Sequence, residues 1–233
     1  MEKTVNTPYG GISYTLERKR VKNINLRVRA GRVFVSAPRW LPRGVIDAFV
    51  VSRAGMIKKA LDSLPPRAET FGDGDAVLYL GRELRIRTVP GPRASVRAEG
   101  DDLILTLRSG AGEDAAKRAV EVWYRTESEL LCRAAVERLW PRFAQLGAAR
   151  PEIKMRAMRA SWGNCRKREA VVTFNSRLAA VPEECIEYVA AHELAHLLHA
   201  DHSRDFYAVL DAVMPDHRRR RALMKKYAPL VLS

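Results

Sequence analysis

Residues 188 to 203 read YVAAHELAHLLHADHS, and four of the chain's five histidines fall in this stretch. His192 and His196 have the spacing HExxH, with Glu193 beside the first of them. On an ideal helix at about 100° per residue, His196 lies about 40° to one side of His192 and His199 about 20° to the other. Ile186, Ala190, Leu194 and Leu197 gather on the opposite face, so one stripe can enter a core while the other presents imidazoles. Two imidazoles one turn apart can share a cation. Neutral imidazole binds Zn²⁺ at about 2.0–2.1 Å without cancelling its charge, so the ion stays a Lewis acid that acidifies a bound water. Glu193 stands about 100° around the helix from His192, where its carboxylate can take a proton from that water. The chemistry expected of such a set is hydrolysis of a carbonyl compound, with Glu193 as general base.

A zinc that does chemistry has three protein ligands and one open position. His199 and His202 compete for the third place. His199 lies about 10 Å along the axis from His192 if the helix continues, too far for a cation that already bridges His192 and His196. A chain that turns after Leu198 can bring His202 back, and the His192-to-His202 spacing equals that of HExxHxxGxxH, although position 199 is His here and not Gly. His tolerates positive φ better than most residues, which leaves such a turn possible. His202 is therefore the better placed. Two other readings stand beside this one: an accidental HExxH, and a closed structural zinc with Cys165 as a fourth ligand.

The elements that must hold these residues are legible in outline. The first half is β-patterned: GISYTLE, then NINLRVR and RVFVSAP, the last two joined by AGR, where Gly31 suits a hairpin. A helical pattern follows Pro42 and ends at Pro65-Pro66. Four further runs, AVLYLG, ELRIRTV, ASVRAEG and DLILTLR, read as a meander. At SGAGED the character changes, and residues 113–146 carry a long amphipathic helical pattern ending near Gly147. EIKMRAMRAS and AVVTFNS read as strands, and a helix starts near Pro182 with Glu183 and Glu184 at its positive end. The fold class expected is α+β, with a basic, strand-rich region over 1–110 containing one helix and a mostly helical half over 111–233.

The bulk numbers limit the partners. The chain has 41 Lys and Arg against 27 Asp and Glu. Residues 1–60 hold 13 basic and 3 acidic side chains, residues 61–150 hold 14 of each, and residues 151–233 hold 14 and 10. The basic excess at the N-terminal end is suited to a phosphate backbone, so a nucleic-acid partner, with the metal site structural or vestigial, is an alternative reading; a solvated basic face is the simpler one. Near the C-terminus, DHRRRRALMKKY repeats the choice between phosphate binding and a solvated helix end. No Walker A, C₂H₂ finger or RNA-binding signature occurs. Cys132, Cys165 and Cys185 form no CxxC pair, and neither a signal-like h-region nor a run of about 18 apolar residues is present. Free thiols, a cytoplasmic location and no membrane span are expected.

The residues around the motif extend the reading. MRAMRASWGNCRKREAVVTFNSRLAAVPEECIEYVAAHELAHLLHADHSRDFYAVLDAVMPDHRRRRALM, together with YTLERKRVKNINLRVRAGRVFVSAPRWLP, Gly74-Asp75 and YLGREL, resembles the YgjP-like metallopeptidase family. That family is also described as DUF45 and as a predicted metal-dependent hydrolase with a zincin-like site. The resemblance implies a helical zincin-like half, a metallopeptidase activity, and His192, His196 and His202 as metal ligands with Glu193 as base. Trp162, Gly163 and Cys165 match the family's WGSC segment, and Asn175 matches its strand asparagine. Asn164, Ser161, Asp201, Tyr207 and His217 depart from the family's Ser, Arg, Asn, Trp and Tyr.

Several neighbours admit two roles. Trp162 can line a cleft or pack, and Tyr188, one turn before His192, can stabilise an oxyanion or pack. Asp201, Asp205 and Asp211 can orient ligand imidazoles or serve as caps and solvated charge. The expectation is a zinc-dependent peptidase or related amide hydrolase acting on a peptide or protein, with another divalent ion possible in place of zinc.

Overall fold

A computed structural model of the chain describes residues 2–29, 32–62 and 70–232. The chain is α+β and divides into two compact units, Met1–Glu69 and Thr70–Ser233. The change of composition at residue 110 marks where strands give way to helices, whereas the units divide earlier.

In the first unit, strands β1 (Glu2–Thr7), β2 (Gly10–Lys19), β3 (Asn25–Arg29) and β4 (Arg32–Pro38) precede helices α1 (Arg43–Ser52) and α2 (Ala54–Asp62). The single helical pattern after Pro42 thus becomes two helices with a break at Arg53. The sheet order is β1-β2-β4-β3, with β2 and β4 parallel and both outer pairings antiparallel. Alternate residues Ile12 and Tyr14 of β2 and Val33 and Val35 of β4 point inward onto Ile46, Val50 and Ile57 of the helices. That alternation is the period-two signal of a sheet with one buried face. The hairpin expected at Gly31 and the breaker Pro65-Pro66 lie outside the described residues.

The second unit contains β5 (Ala76–Tyr79), β6 (Arg82–Pro90), β7 (Ser95–Glu99) and β8 (Asp102–Leu107), the long helix α3 (Glu113–Gln145), and β9 (Glu152–Arg156), β10 (Gly163–Arg166) and β11 (Val171–Asn175). Helices α4 (Glu183–Leu198), α5 (Arg204–Val213) and α6 (His217–Val231) complete it. The four-stranded sheet is not a meander. Its order is β5-β6-β8-β7, with β6 and β8 parallel, the same topology as the first unit's sheet. Residue periodicity identifies each strand but carries no information about its neighbour, so the crossover was not legible. Leu84, Ile86, Leu103 and Leu105 of this sheet share one core with Val120, Trp123 and Tyr124 of α3 and with Ile186, Ala190 and Leu194 of α4.

This sheet also anchors the histidine helix. The β5–β6 turn donates Leu80 N–H to Ala179 O at 2.7 Å and Gly81 N–H to Ala180 O at 3.1 Å, immediately before α4 begins. Gly81 has φ +78°, and a Cβ there would stand 2.6 Å from Pro182 Cγ, so the turn needs glycine for both its dihedral and its contact. From the other side, the buried Ser128 of α3 donates to Ser176 O at 3.0 Å and accepts from Ala179 N–H at 2.8 Å. The start of α4 is thereby fixed between sheet and long helix. No helix among the described residues is long and apolar enough to cross a membrane.

Candidate metal and active site

Helix α4 runs as its two faces require. Ile186, Ala190, Leu194 and Leu197 are buried, while His192 and His196 are half-buried on the other side. The helix stops at Leu198. His199 takes an extended conformation (φ −130°, ψ 117°), so the chain leaves the helix without a left-handed turn and the tolerance of His for positive φ is not used. The carbonyl of Leu198, one of the orphans of the helix end, accepts a hydrogen bond from Lys167 Nζ at 2.5 Å. After the turn Ser203 caps α5, its side chain accepting from Phe206 N–H at 3.5 Å. His202 sits just ahead of that cap and is carried back to the face of α4.

His192, His196 and His202 each offer a ligand atom within 4.8 Å of the others. His202 Nε2 is 3.1 Å from His192 Nε2, close to the edge of about 3.3 Å that a tetrahedral site with Zn–N bonds of about 2.05 Å would have. His199 is not in this set. Its contribution is its backbone: His196 Nδ1 lies 3.0 Å from His199 O, and since a carbonyl only accepts, Nδ1 carries the proton and Nε2 is left with its lone pair. Burial, and then the two neighbouring imidazoles, push the His192 pKa down to about 3, and burial likewise lowers that of His196. Rings that stay neutral at neutral pH are what ligation requires. The donor set therefore fits a divalent cation.

The three rings rest on a residue that sequence reasoning did not single out. Phe206, fully buried on α5, has its ring centroid 5.1 Å from that of His192, 4.6 Å from His196 and 4.8 Å from His202. It forms the floor of the cluster. The signal available was its spacing of four from His202, which only becomes informative once an α-helix is known to begin between them. His192 Nδ1 is buried without a hydrogen-bond partner, so packing against Phe206 and Tyr188, not a hydrogen bond at that atom, orients the ring. Among the described residues no carboxylate holds a ligand imidazole. Asp211 instead accepts from the buried His217, Nε2 to Oδ1 3.0 Å, and Asp201 is engaged with Ser203.

Glu193 is 5% exposed, and burial raises its pKa to about 8. Its carboxyl lies against Gly163 on β10, at a distance that leaves no room for a Cβ there. A cleft of about 240 Å³ opens on this side, walled by Trp162, Gly163, Tyr188, His192 and Glu193. Trp162 also packs on the core, and burial raises the Tyr188 hydroxyl above its ordinary pKa. The loop before β10 is held by Asn175, which is 1% exposed and donates through Nδ2 to Met158 O at 2.8 Å and to Ser161 O at 2.9 Å. Its Oδ1 accepts from Arg177 N–H at 3.1 Å. Cys165 on β10 is not a member of the metal cluster, and burial, with Glu193 adding to it, raises its thiol to about 12. A closed site with Cys165 as fourth ligand is thus not what the fold forms. All three cysteines are free.

β10 is the edge of the sheet β10-β11-β9, paired antiparallel with β11 on one side only; β9 joins β11 in parallel. Its sequence, GNCR, has neither apolar alternation nor β-branched residues, so nothing in it marks a strand.

The YgjP-like, metallopeptidase domain family model matches residues 22–227, and the chain belongs to that family. Its members define a class of metal-dependent peptidases or hydrolases, which is the class to which this fold and family assign the protein. Among solved structures, the metallopeptidase zymogen abylysin of Pyrococcus abyssi is similar at 23% identity, covering 41% of this chain and 93% of that one, with a TM-score of 0.36. A comparison with curated proteins gave no significant match. The case for nucleic acid gains nothing beyond the charge excess.

Proposed function

We propose that the protein is a zinc-dependent peptidase or related amide hydrolase in which His192, His196 and His202 hold the metal and Glu193 is the general base. The observation that carries this reading is the convergence of three imidazole ligand atoms within 4.8 Å, beside a buried carboxyl that belongs to none of them. A divalent cation held there supplies Lewis acidity, polarising a carbonyl and acidifying water.

The chain's own residues do the rest. His196 is kept in the tautomer with Nε2 free by the His199 carbonyl. Glu193, buried beside the three imidazoles and not one of the ligands, is placed to take a proton from water and return it to a leaving amine; the pKa of about 8 belongs to the metal-free chain, and a cation on the neighbouring imidazoles favours the carboxylate form that a base needs. Trp162 and Tyr188 wall the cleft on that side. The one-sided pairing of β10 favours an extended peptide as substrate, since an unpaired strand edge can take up another strand through backbone hydrogen bonds. Zinc is favoured by an all-nitrogen set of three, and several divalent ions are compatible with it.

The test is hydrolysis of mixed quenched-fluorescent peptides by wild type and Glu193→Gln, with metal content measured on both. Loss of hydrolysis with about one metal per chain retained is expected. Full activity in Glu193→Gln would remove the assigned base.

A further inference from the structure

Next to the metal cluster, α5 and the start of α6 border an open cavity of about 490 Å³, lined by Arg204, Tyr207, Asp211, His217, Arg218 and Arg221. Its charge is unusual. Of the four consecutive arginines 218–221, three are committed to carboxylates: Arg218 to Asp211 at 2.8 Å, Arg219 to Glu184 at 2.5 Å and Arg220 to Glu187 at 2.5 Å. Among the described residues neither Arg221 nor Arg204, both in the lining, has an ion pair. Asp211, the one carboxylate in the lining, is spent on His217 and Arg218. Two guanidinium groups therefore face the space without a counter-charge of the protein's own.

The cavity adjoins the site. Tyr207 forms part of its wall, and the Tyr207 ring lies 6.4 Å from that of His202 on one side and is stacked at 6.2 Å on that of His217 on the other. A substrate group bound here therefore lies alongside the metal cluster, with Tyr207 between them. Guanidinium is planar, always charged and matched in geometry to carboxylate.

We propose that this cavity is a carboxylate subsite for the substrate, with Arg204 and Arg221 as its specificity-determining residues. The inference rests on the peptidase reading above and names the substrate feature which that reading leaves open. The carboxylate comes from either an acidic side chain or a free C-terminus.

Matched peptides distinguish the two: Glu against Gln at each position flanking the scissile bond, and free acid against amide at the C-terminus. The zinc-loaded protein should favour one carboxylate form by about tenfold in kcat/KM, as a charge-assisted hydrogen bond would give. Arg221→Gln and Arg204→Gln should each reduce that ratio towards one, and Arg221→Glu should turn it in favour of Lys at the same position. Anisotropy of the same labelled peptides on Glu193→Gln reads binding without turnover. Peptides cleaved with no carboxylate preference, or with a preference that survives both arginine variants, would overturn the subsite and leave the peptidase reading standing. An Arg221-dependent binding preference with no cleavage of any peptide would support the subsite and remove the peptidase reading.

Discussion

Gly163 and Glu193 are packed so closely that position 163 admits no side chain: a Cβ built there would stand 2.6 Å from Glu193 Oε1, 2.7 Å from its Cγ and 2.8 Å from its Cδ. The requirement is one of space, since the φ of Gly163 is not in the left-handed region. An edge strand and the histidine helix are set at contact distance by the absence of a methyl group.

Gly163→Ala should therefore displace the Glu193 carboxyl or move β10 away. Either change misplaces the proposed base by an ångström or so, and a loss of about 10²-fold in kcat is expected. Metal content should stay near one per chain, because the atoms nearest to a Cβ at position 163 all belong to Glu193 and not to a ligand imidazole. Kinetics and metal analysis on the same preparation check this; a variant with wild-type kcat would show that the base is not held by this contact.

His202→Ala and His199→Ala should behave differently. The first removes a ligand atom and is expected to lower metal affinity by about 10- to 100-fold or more, an outer-partner loss already having that size. The second removes only an imidazole, because His199 acts on His196 through its carbonyl, which alanine retains. Titration against a chromophoric chelator separates them, and equal losses would contradict the assignment of His202.

Glu193 makes metal-free stability depend on pH. Its carboxyl pKa is raised from an ordinary 4.5 to about 8, so the folded chain prefers the protonated form. Below the unfolded pKa both states are protonated and nothing is lost; as pH rises towards 8 the unfolded chain ionises first and folding weakens, by at most about 5 kcal/mol. The thermal midpoint of chelator-treated Glu193→Gln should exceed that of wild type, by a margin that grows from about pH 4.5 to pH 8 and then levels. A margin independent of pH would show that the carboxyl is not held neutral.

The α4–α6 clasp gives the opposite sign. Arg219 holds the Glu184 carboxyl below the usual carboxylate range, and Arg219 and Arg220 do the same for Asp216. This stability is present above the unfolded carboxylate pKa and is lost as pH falls through the lower folded values. The groups are largely exposed, so solvent screens each pair and its contribution is small. Arg219→Gln should lower the midpoint at pH 7 and leave it nearly unchanged at the acid end, and the difference should shrink in high salt. A salt-insensitive difference would point to lost packing instead.

The sequence by itself determined the elements with strong periodicity and the residues with strong chemistry. Helix α3 was expected over 113–146 and spans Glu113–Gln145; the two faces of α4, and His192, His196 and Glu193 on their sides of it, follow from a 3.6-residue period and from which side chains can hold a cation or move a proton. Those are local properties, fixed by residue type and spacing along one element. The tertiary structure decided everything that depends on distance through space. It carried His202 back to the cluster while leaving His199 to act through its backbone, put Phe206 beneath three imidazoles, set Gly163 against Glu193, and joined β6 to β8 in parallel where a meander was expected. It also gave Asp211 to His217 and not to a ligand imidazole. Contacts between segments far apart in the chain are selected by the packing of the whole core, and no single segment's pattern encodes its neighbour.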